Sequence, residues 1–321
     1  MKFNWRPTGH GATDNLGRQY AKVVRGVNQG SFETRWRYAR AGERFVRFVG
    51  EQFKLQKIQN LQDKHVKAYV EHLQQQGRTD KYIKTELSAI RYVHRQIPQA
   101  RHELSDATVF NKANGLGSTP DGRADRAWTD SEVTAMKEVA RELGRPEMAG
   151  VIEVTRSTGM RLDEACSLRR HDVERALRDS KLELSNTKGG RPRSIPLSDR
   201  AENCLREAIG DVERGRYVFT PENVKVHEFE HRVQDFIYNH RDKIQDSDRA
   251  ETGHNLAENE RGALTAHGLR HSYARERYEE LVEELKENLS DERAEKVARE
   301  QVAEELGHGR DTVTFIYTLL G

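Results

Sequence analysis

The 321-residue chain contains only two cysteines, Cys166 and Cys204, too few for a disulfide framework or a structural zinc site. It has no apolar run near the ~20 residues that would span a bilayer. Its first residues, Met1 to Arg6, lack the apolar stretch and small-residue cleavage site of a secretory signal. These absences set aside membrane and disulfide-rich secreted classes and leave a soluble, reduced, cytoplasmic protein as the expectation. Net charge is scarce too, at +2. That small sum hides a division. Residues 1–126 carry 23 Lys+Arg against 12 Asp+Glu, whereas the remainder carries 31 against 40. A basic first part beside an acidic second part implies that the first faces a polyanion. The acidic excess is local, since residues 276–305 hold 12 acidic and 5 basic groups.

The length suffices for two domains, each with its own core. Helical periodicity dominates the first. From Phe32 to Phe53, Tyr38, Ala41, Phe45 and Phe48 form an apolar stripe, and Arg37, Arg40, Arg44 and Arg47 form a basic ridge rotated by one residue. A second helix is expected over Asp63–Gln76, stopped by Gly77. A third runs from Asp80 to Arg95, with Ile83, Leu87 and Ile90 inward and Lys81, Lys84, Arg91 and Arg95 outward. An additional N-terminal helix is placed within residues 13–28. Residues 1–115 thus read as a helical domain, and 116–126, rich in glycine around Pro120, as an exposed linker. Residues 127–321 mix helices with short strands. Lys181-Leu-Glu-Leu-Ser and Arg193-Ser-Ile-Pro-Leu flank Gly189-Gly190 as a β-hairpin would. The fold class expected is mostly α, with a small β-sheet in the second, mixed α+β domain.

Four separated clusters carry chemistry. Ser157-Thr-Gly-Met-Arg161-Leu-Asp-Glu164 puts an arginine just after a glycine turn at a helix start, where backbone N–H groups and the helix dipole favour an anion. Thr187-Lys188-Gly-Gly-Arg191 places a lysine in the hairpin turn. His267-Gly-Leu-Arg270-His271 sets a proton-transfer group and a phosphate fork on one helical face. His267 and His271 also have the i,i+4 spacing of a metal pair, but no Glu lies between them and no third ligand accompanies them, so no metal is assigned. Last come Leu306-Gly-His308 and, nine residues on, Tyr317.

Together these clusters resemble the tyrosine recombinase (phage integrase) family. Arg161 with Glu164, Leu168 and Asp172 resembles its first arginine box. Lys188, followed by Ile195-Pro196-Leu197, resembles its β-hairpin lysine. His267 and Arg270 match its His-x-x-Arg box, and Leu306-Gly-His308 before Tyr317 matches its final box. The first half is similar, less specifically, to the family's helical core-binding domain. The resemblance implies site-specific cutting and rejoining of DNA, in integration or excision of a mobile element, without metal or cofactor. Tyr317 would attack phosphorus to give a 3′-phosphotyrosyl intermediate. Arg161 and Arg270, always charged and bidentate, suit the non-bridging oxygens. Lys188 is the implied general acid, His267 the acid/base partner of the tyrosine and His308 a further phosphate donor. Glu164 would orient a catalytic cation, with His271 supporting. Implied partners are double-stranded attachment sites, further copies of the chain in a tetrameric synapse, and accessory DNA-bending or directionality proteins in a bacterial nucleoid. Arg37, Arg40, Arg44, Arg47, Lys81, Lys84, Arg91, Arg95 and Arg191 are the candidate DNA contacts.

The chain also departs from the family pattern. Arg270 and His308 are 38 residues apart, longer than expected, and the excess falls in the acidic stretch. That stretch is expected to be a helical insertion turned away from DNA phosphates, either touching a neighbouring protomer or simply solvated. Four residues follow Tyr317, where many relatives have a docking tail, and the stretch before Phe32 looks short for a separate arm-binding domain. Alternatives are a telomere resolvase or type IB topoisomerase-like enzyme, a non-catalytic DNA-binding protein on the same scaffold, and a metal-dependent nuclease. Loss of Arg161, Arg270 or Tyr317 would signal the non-catalytic protein, and all three are present. No carboxylate cluster recommends the nuclease.

Overall fold

A computed structural model describes residues 2–28, 30–117, 125–185, 192–210, 212–249 and 261–307. The chain divides into two compact units, residues 1–120 and 121–321. Each has its own apolar core.

The first unit is helical: α1 (Gly11–Arg25), α2 (Phe32–Phe53), α3 (Asp63–Gln75), α4 (Asp80–His94) and α5 (Ala107–Ala113). Helix α2 starts where the Ser31 hydroxyl accepts the Thr34 N–H at 3.2 Å, and it ends at Lys54, whose φ of 49° breaks the helix. Two glycines let α1 approach it. A Cβ on Gly42 would lie 2.3 Å from the Tyr20 hydroxyl oxygen, and one on Gly50 would lie 2.7 Å from Thr13. Tyr20 uses the space to donate to the Ala39 carbonyl at 2.7 Å. Leu16, Val49, Val70, Ile83 and Leu87 meet in the core, fully buried. Burying each such side chain contributes about 1.5–3 kcal/mol.

The segment before α1 is part of this unit. Asp14 accepts the Trp5 indole N–H at 3.0 Å and the Thr8 and Gly9 N–H groups at 2.8 and 3.1 Å. Those bonds, led by Trp5, hold its carboxyl down at about 2. At the other end, Leu116 is buried in the same core and the Gly117 N–H donates to Asp80 at 2.8 Å. The sequence reading put these two residues in an exposed linker; they are fastened to the first unit.

Arg91 is a correction. It was expected on the outer face of α4, yet it is only 8% exposed. Its guanidinium covers the Phe110 ring at 5.1 Å and donates to the Ser105 carbonyl at 3.3 Å. A long aliphatic stem lets arginine pack as an apolar side chain with a polar tip.

The second unit holds α6 (Asp130–Glu142), α7 (Pro146–Thr158), α8 (Leu162–Ser167), α9 (Arg170–Asp179), β1 (Lys181–Leu184), β2 (Arg193–Pro196), α10 (Asp199–Ile209), α11 (Val226–His240), α12 (Ala266–Lys286) and α13 (Asp291–Leu306). The two strands pair antiparallel, with Leu182 opposite Ile195. The turn between them, with Lys188 and Arg191, lies outside the described residues. Helix α7 is buried almost all round through Met148, Val151, Ile152 and Val154, and α6, α10 and α12 pack about it.

Thr129 and Glu132 cap α6 reciprocally, with the Thr129 N–H reaching Glu132 at 2.8 Å. The fully buried Glu132 carboxylate also takes two Arg249 nitrogens at 2.5 and 2.6 Å, and the Asp246 N–H at 3.0 Å. Arg261 adds a longer contact of 3.8 Å.

The acidic stretch is a second correction. It forms the second half of α12 and all of α13, which pack on each other and into the core. Leu281, Ala294, Ala298, Val302 and Leu306 are buried between them, so it is not a solvated addition. The buried Tyr273 hydroxyl donates to Glu305 at 2.7 Å, and Arg277 reaches the other Glu305 oxygen at 3.3 Å. Among the described residues no helix is long and apolar enough to cross a membrane.

Candidate active site

Helix α7 ends at Gly159, whose φ of 62° is left-handed. A Cβ there would lie 2.3 Å from the Tyr273 ring, so both conformation and space demand glycine. Two residues on, Arg161 caps α8. Arg270 reaches this turn from the second turn of α12. Only 1% exposed, it donates one nitrogen to the Gly159 carbonyl at 2.5 Å and another to the Leu306 carbonyl at the end of α13. Main-chain acceptors at two helix ends therefore hold its guanidinium in place.

Glu164, 4% exposed, organises the other side. It accepts the Arg161 N–H at 2.7 Å, an Arg161 guanidinium nitrogen at 3.0 Å, and both terminal nitrogens of Arg193, one at 2.8 Å. Burial alone would raise its carboxyl pKa. Hydrogen bonding and charge from Arg193, followed by the Arg161 contacts, outweigh that and hold the pKa below the ordinary value. Glu164 thus stays ionised and orients two guanidinium groups.

Sequence reasoning missed Arg193, taking it only as a strand residue. It is 6% exposed and faces inward with Ile195, while Ser194 and Pro196 face out. The signal was the period of two: a residue two before a core isoleucine shares its face.

His267 sits on the first turn of α12, behind the Thr265 cap. Partial desolvation of the ring, then the charges of Arg270, Arg126 and Arg161, lower its pKa to about 4. At neutral pH the imidazole is uncharged and able to take a proton. His271 lies edge-on to it, with ring centroids 5.2 Å apart. Burial, then His267 and nearby arginines, push His271 well below the usual range, so it too is neutral.

Arg270 thereby meets the turn that leads to Arg161, Glu164 holds Arg161, and His267, beside His271, feels the charges of both arginines. Lys188, Arg191, His308 and Tyr317 lie outside the described residues; Gly307, with φ of 66°, is the described residue next to His308. Among the described residues no group of three His, Cys, Asp or Glu could hold a metal ion.

In the first unit, Arg37, Lys81 and Lys84 border one open groove with Tyr38, Thr85 and Ser88. Arg95 is exposed. The ridge on α2 is not a row of free cations, which corrects the sequence reading. Arg44 pairs with buried Glu86 at 2.5 Å, while Arg40 and Arg47 share buried Glu43 at 2.7 and 3.0 Å.

Both units match known protein families. The sequence profile described as phage integrase family matches residues 126–285, and that described as phage integrase, N-terminal, matches residues 13–102. Tyrosine recombinase XerD of Halalkalibacterium halodurans is 25% identical over 196 residues, which is 60% of this chain and 62% of that relative. The match thus spans less than two thirds of the relative's length. Among solved structures, the Tn1549 transposon integrase in complex with circular intermediate DNA aligns at a TM-score of 0.58 and 15% identity, covering 95% of each chain. A lambda integrase tetramer bound to a Holliday junction aligns at 0.61 and 16%, covering 99% of this chain and 82% of that one. At such identity the likeness is one of fold.

Proposed function

Because the chain belongs to the phage integrase family of tyrosine recombinases, we propose that it is a site-specific recombinase that cuts and rejoins DNA for a mobile element. One observation carries the reading furthest. Arg270 is held against the carbonyl of Gly159, two residues before Arg161, with His267 on the same helix. Residues more than a hundred positions apart in sequence thereby build one cationic pocket around a neutral imidazole.

That pocket suits phosphoryl transfer without a metal. Arg161 and Arg270 bind the non-bridging oxygens of the scissile phosphate and stabilise the charge that grows there. Removing either should raise the barrier by about 3–4 kcal/mol, by comparison with other fixed oxyanion donors. The Tyr317 oxygen attacks phosphorus as the bond to the 5′ oxygen breaks. The tyrosyl proton passes to His267, and Lys188 protonates the departing 5′ oxygen, with His308 a further donor to the phosphate. The 3′-phosphotyrosyl bond conserves the energy needed for rejoining. Residues 1–117 form the core-type DNA-binding domain and 127–321 the catalytic domain, with the linker confined to 118–126. Arg37, Lys81, Lys84 and Arg95 offer phosphate contacts, with Arg191 beside Lys188. Binding partners are double-stranded recombination sites and further copies of the chain, as for the relatives solved on circular intermediate DNA and on a Holliday junction. The protein would work at the bacterial nucleoid with accessory DNA-bending or directionality factors.

The test is covalent capture. A pool of nicked suicide duplexes, incubated in EDTA, should yield a protein–DNA adduct with wild type and none with Tyr317→Phe. An adduct that persists in that variant would overturn the proposal.

A further inference from the structure

Most guanidinium groups near the site have a carboxylate partner. Arg161 and Arg193 share Glu164, Arg249 and Arg261 meet Glu132, and Arg275 meets Asp125 at 2.8 Å. Arg126 differs from these, and from Arg270, whose guanidinium is held by two main-chain carbonyls. It is half-buried, and among the described residues no carboxylate lies within ion-pair distance of it. Its neighbour Asp125 is engaged by Arg275 and by the Ala127 N–H at 2.9 Å.

The backbone of Arg126 packs against the first turn of α12, the turn that carries His267. Its carbonyl oxygen would stand 2.3 Å from a Cβ on Gly268, so the first turn of α12 admits the chain only because residue 268 is glycine. Trp128 closes the same contact. Its indole N–H donates to the Thr265 carbonyl at 2.9 Å, and its backbone N–H donates to the Ser272 hydroxyl at 2.7 Å. His267 is the residue beside Gly268, and the charge of Arg126 is felt at both His267 and His271.

A partly desolvated cation without a counter-ion is costly unless an anion arrives to pair with it. Arg161 and Arg270 already serve the scissile phosphate in the reading above, on which this inference rests. The duplex next offers the adjoining phosphates of the same strand. We propose that Arg126 binds a phosphate immediately flanking the scissile one, a third guanidinium contact that anchors the strand beside His267.

The experiment has two arms. In the first, affinity for a random-sequence duplex is measured against salt for wild type, Arg126→Gln and Arg126→Lys. Losing one phosphate contact should flatten the log–log slope by about 0.9 in Arg126→Gln, and Arg126→Lys should restore it. Equal slopes in all three proteins would overturn the proposal. In the second, neutral methylphosphonates replace the flanking phosphates of a captured cleavage site one at a time. One replacement should slow adduct formation about tenfold in wild type, the scale of one charge-assisted hydrogen bond, and add nothing to Arg126→Gln. Penalties of equal size in both proteins at both positions would refute it. Should wild type form no adduct, the recombinase reading fails, while the salt slope still decides the phosphate contact.

Discussion

Arg270 donates a guanidinium nitrogen to the carbonyl of Leu306, the residue that ends α13. The cation assigned to the phosphate is therefore fastened to the point where the chain turns toward His308. The acceptor is main chain, so no side-chain change at 306 removes it; only a change in the turn can. Gly307 makes that turn with φ of 66°, and a Cβ there would come within 3.0 Å of the Arg193 side chain. Gly307→Ala should cost about 1–2 kcal/mol of stability for the left-handed backbone. Single-turnover cleavage, measured with thermal melting, should fall further than that loss explains. A variant with normal cleavage would show that the turn does not position Arg270.

Glu164 carries a different expectation. Glu164→Gln leaves the buried Arg193 without its counter-charge and should destabilise the protein by about 3–5 kcal/mol in urea unfolding. Adding Arg193→Met removes the stranded charge and should recover much of the loss. Cleavage should stay low in the double variant, because Arg161 has lost the carboxylate that orients it. Recovery of both properties together would mean that Glu164 serves stability alone.

His267 sets the acid limb of the reaction. A base is active when unprotonated, and with its pKa lowered to about 4 His267 remains so down to pH 5. The second-order cleavage rate, which reports the free enzyme, should change little from pH 7 to pH 5 on its account. An unshifted imidazole near 6.5 would cost more than about tenfold over that range. Loss of rate with a midpoint near 6.5, tracking the His267 ring in an NMR titration, would contradict the assignment.

The first unit should weaken in mild acid. Burial holds His65 and His94 below the usual imidazole pKa. The unfolded chain then binds more protons, so stability is full above about 6.5 and declines as pH falls toward the folded values. Each histidine can contribute at most about 1.4 kcal/mol per pH unit. Urea midpoints from the fluorescence of Trp5 and Trp36 should drop between pH 7 and 5.5, and the drop should shrink in His94→Leu. A midpoint independent of pH would rule out both groups.

Much of the fold was legible because the apolar periods were undisturbed. Helix α2 runs over Phe32–Phe53 as its apolar stripe suggests, and Gly77, with φ of 70°, follows α3. What escaped the sequence was charge placed inward. Arg91 and Arg193 are buried by their stems and partners, and Glu43 and Glu86 draw in arginines that looked free. Composition also misled over residues 276–305. Their acidic surface concealed a seam of small residues, Ala294, Ala298 and Val302, that keeps α13 against α12. Within the site, motif spacing identified Arg161, His267 and Arg270 as candidates, but the main-chain bonds of Arg270 to Gly159 and Leu306 arise only in the folded chain. Arg126 had no motif to announce it.

The hydroxyl of Tyr273 against Glu305 works as a registration mark between two helices. An apolar seam of alanines would tolerate α13 slipping by a turn along α12, since one small residue replaces another. Slippage would strand the Glu305 carboxylate in the interior without a donor, a loss of several kcal/mol. The seam is consequently indexed rather than merely adhesive. Because Leu306 is the next residue, the index also fixes how far Arg270 must reach.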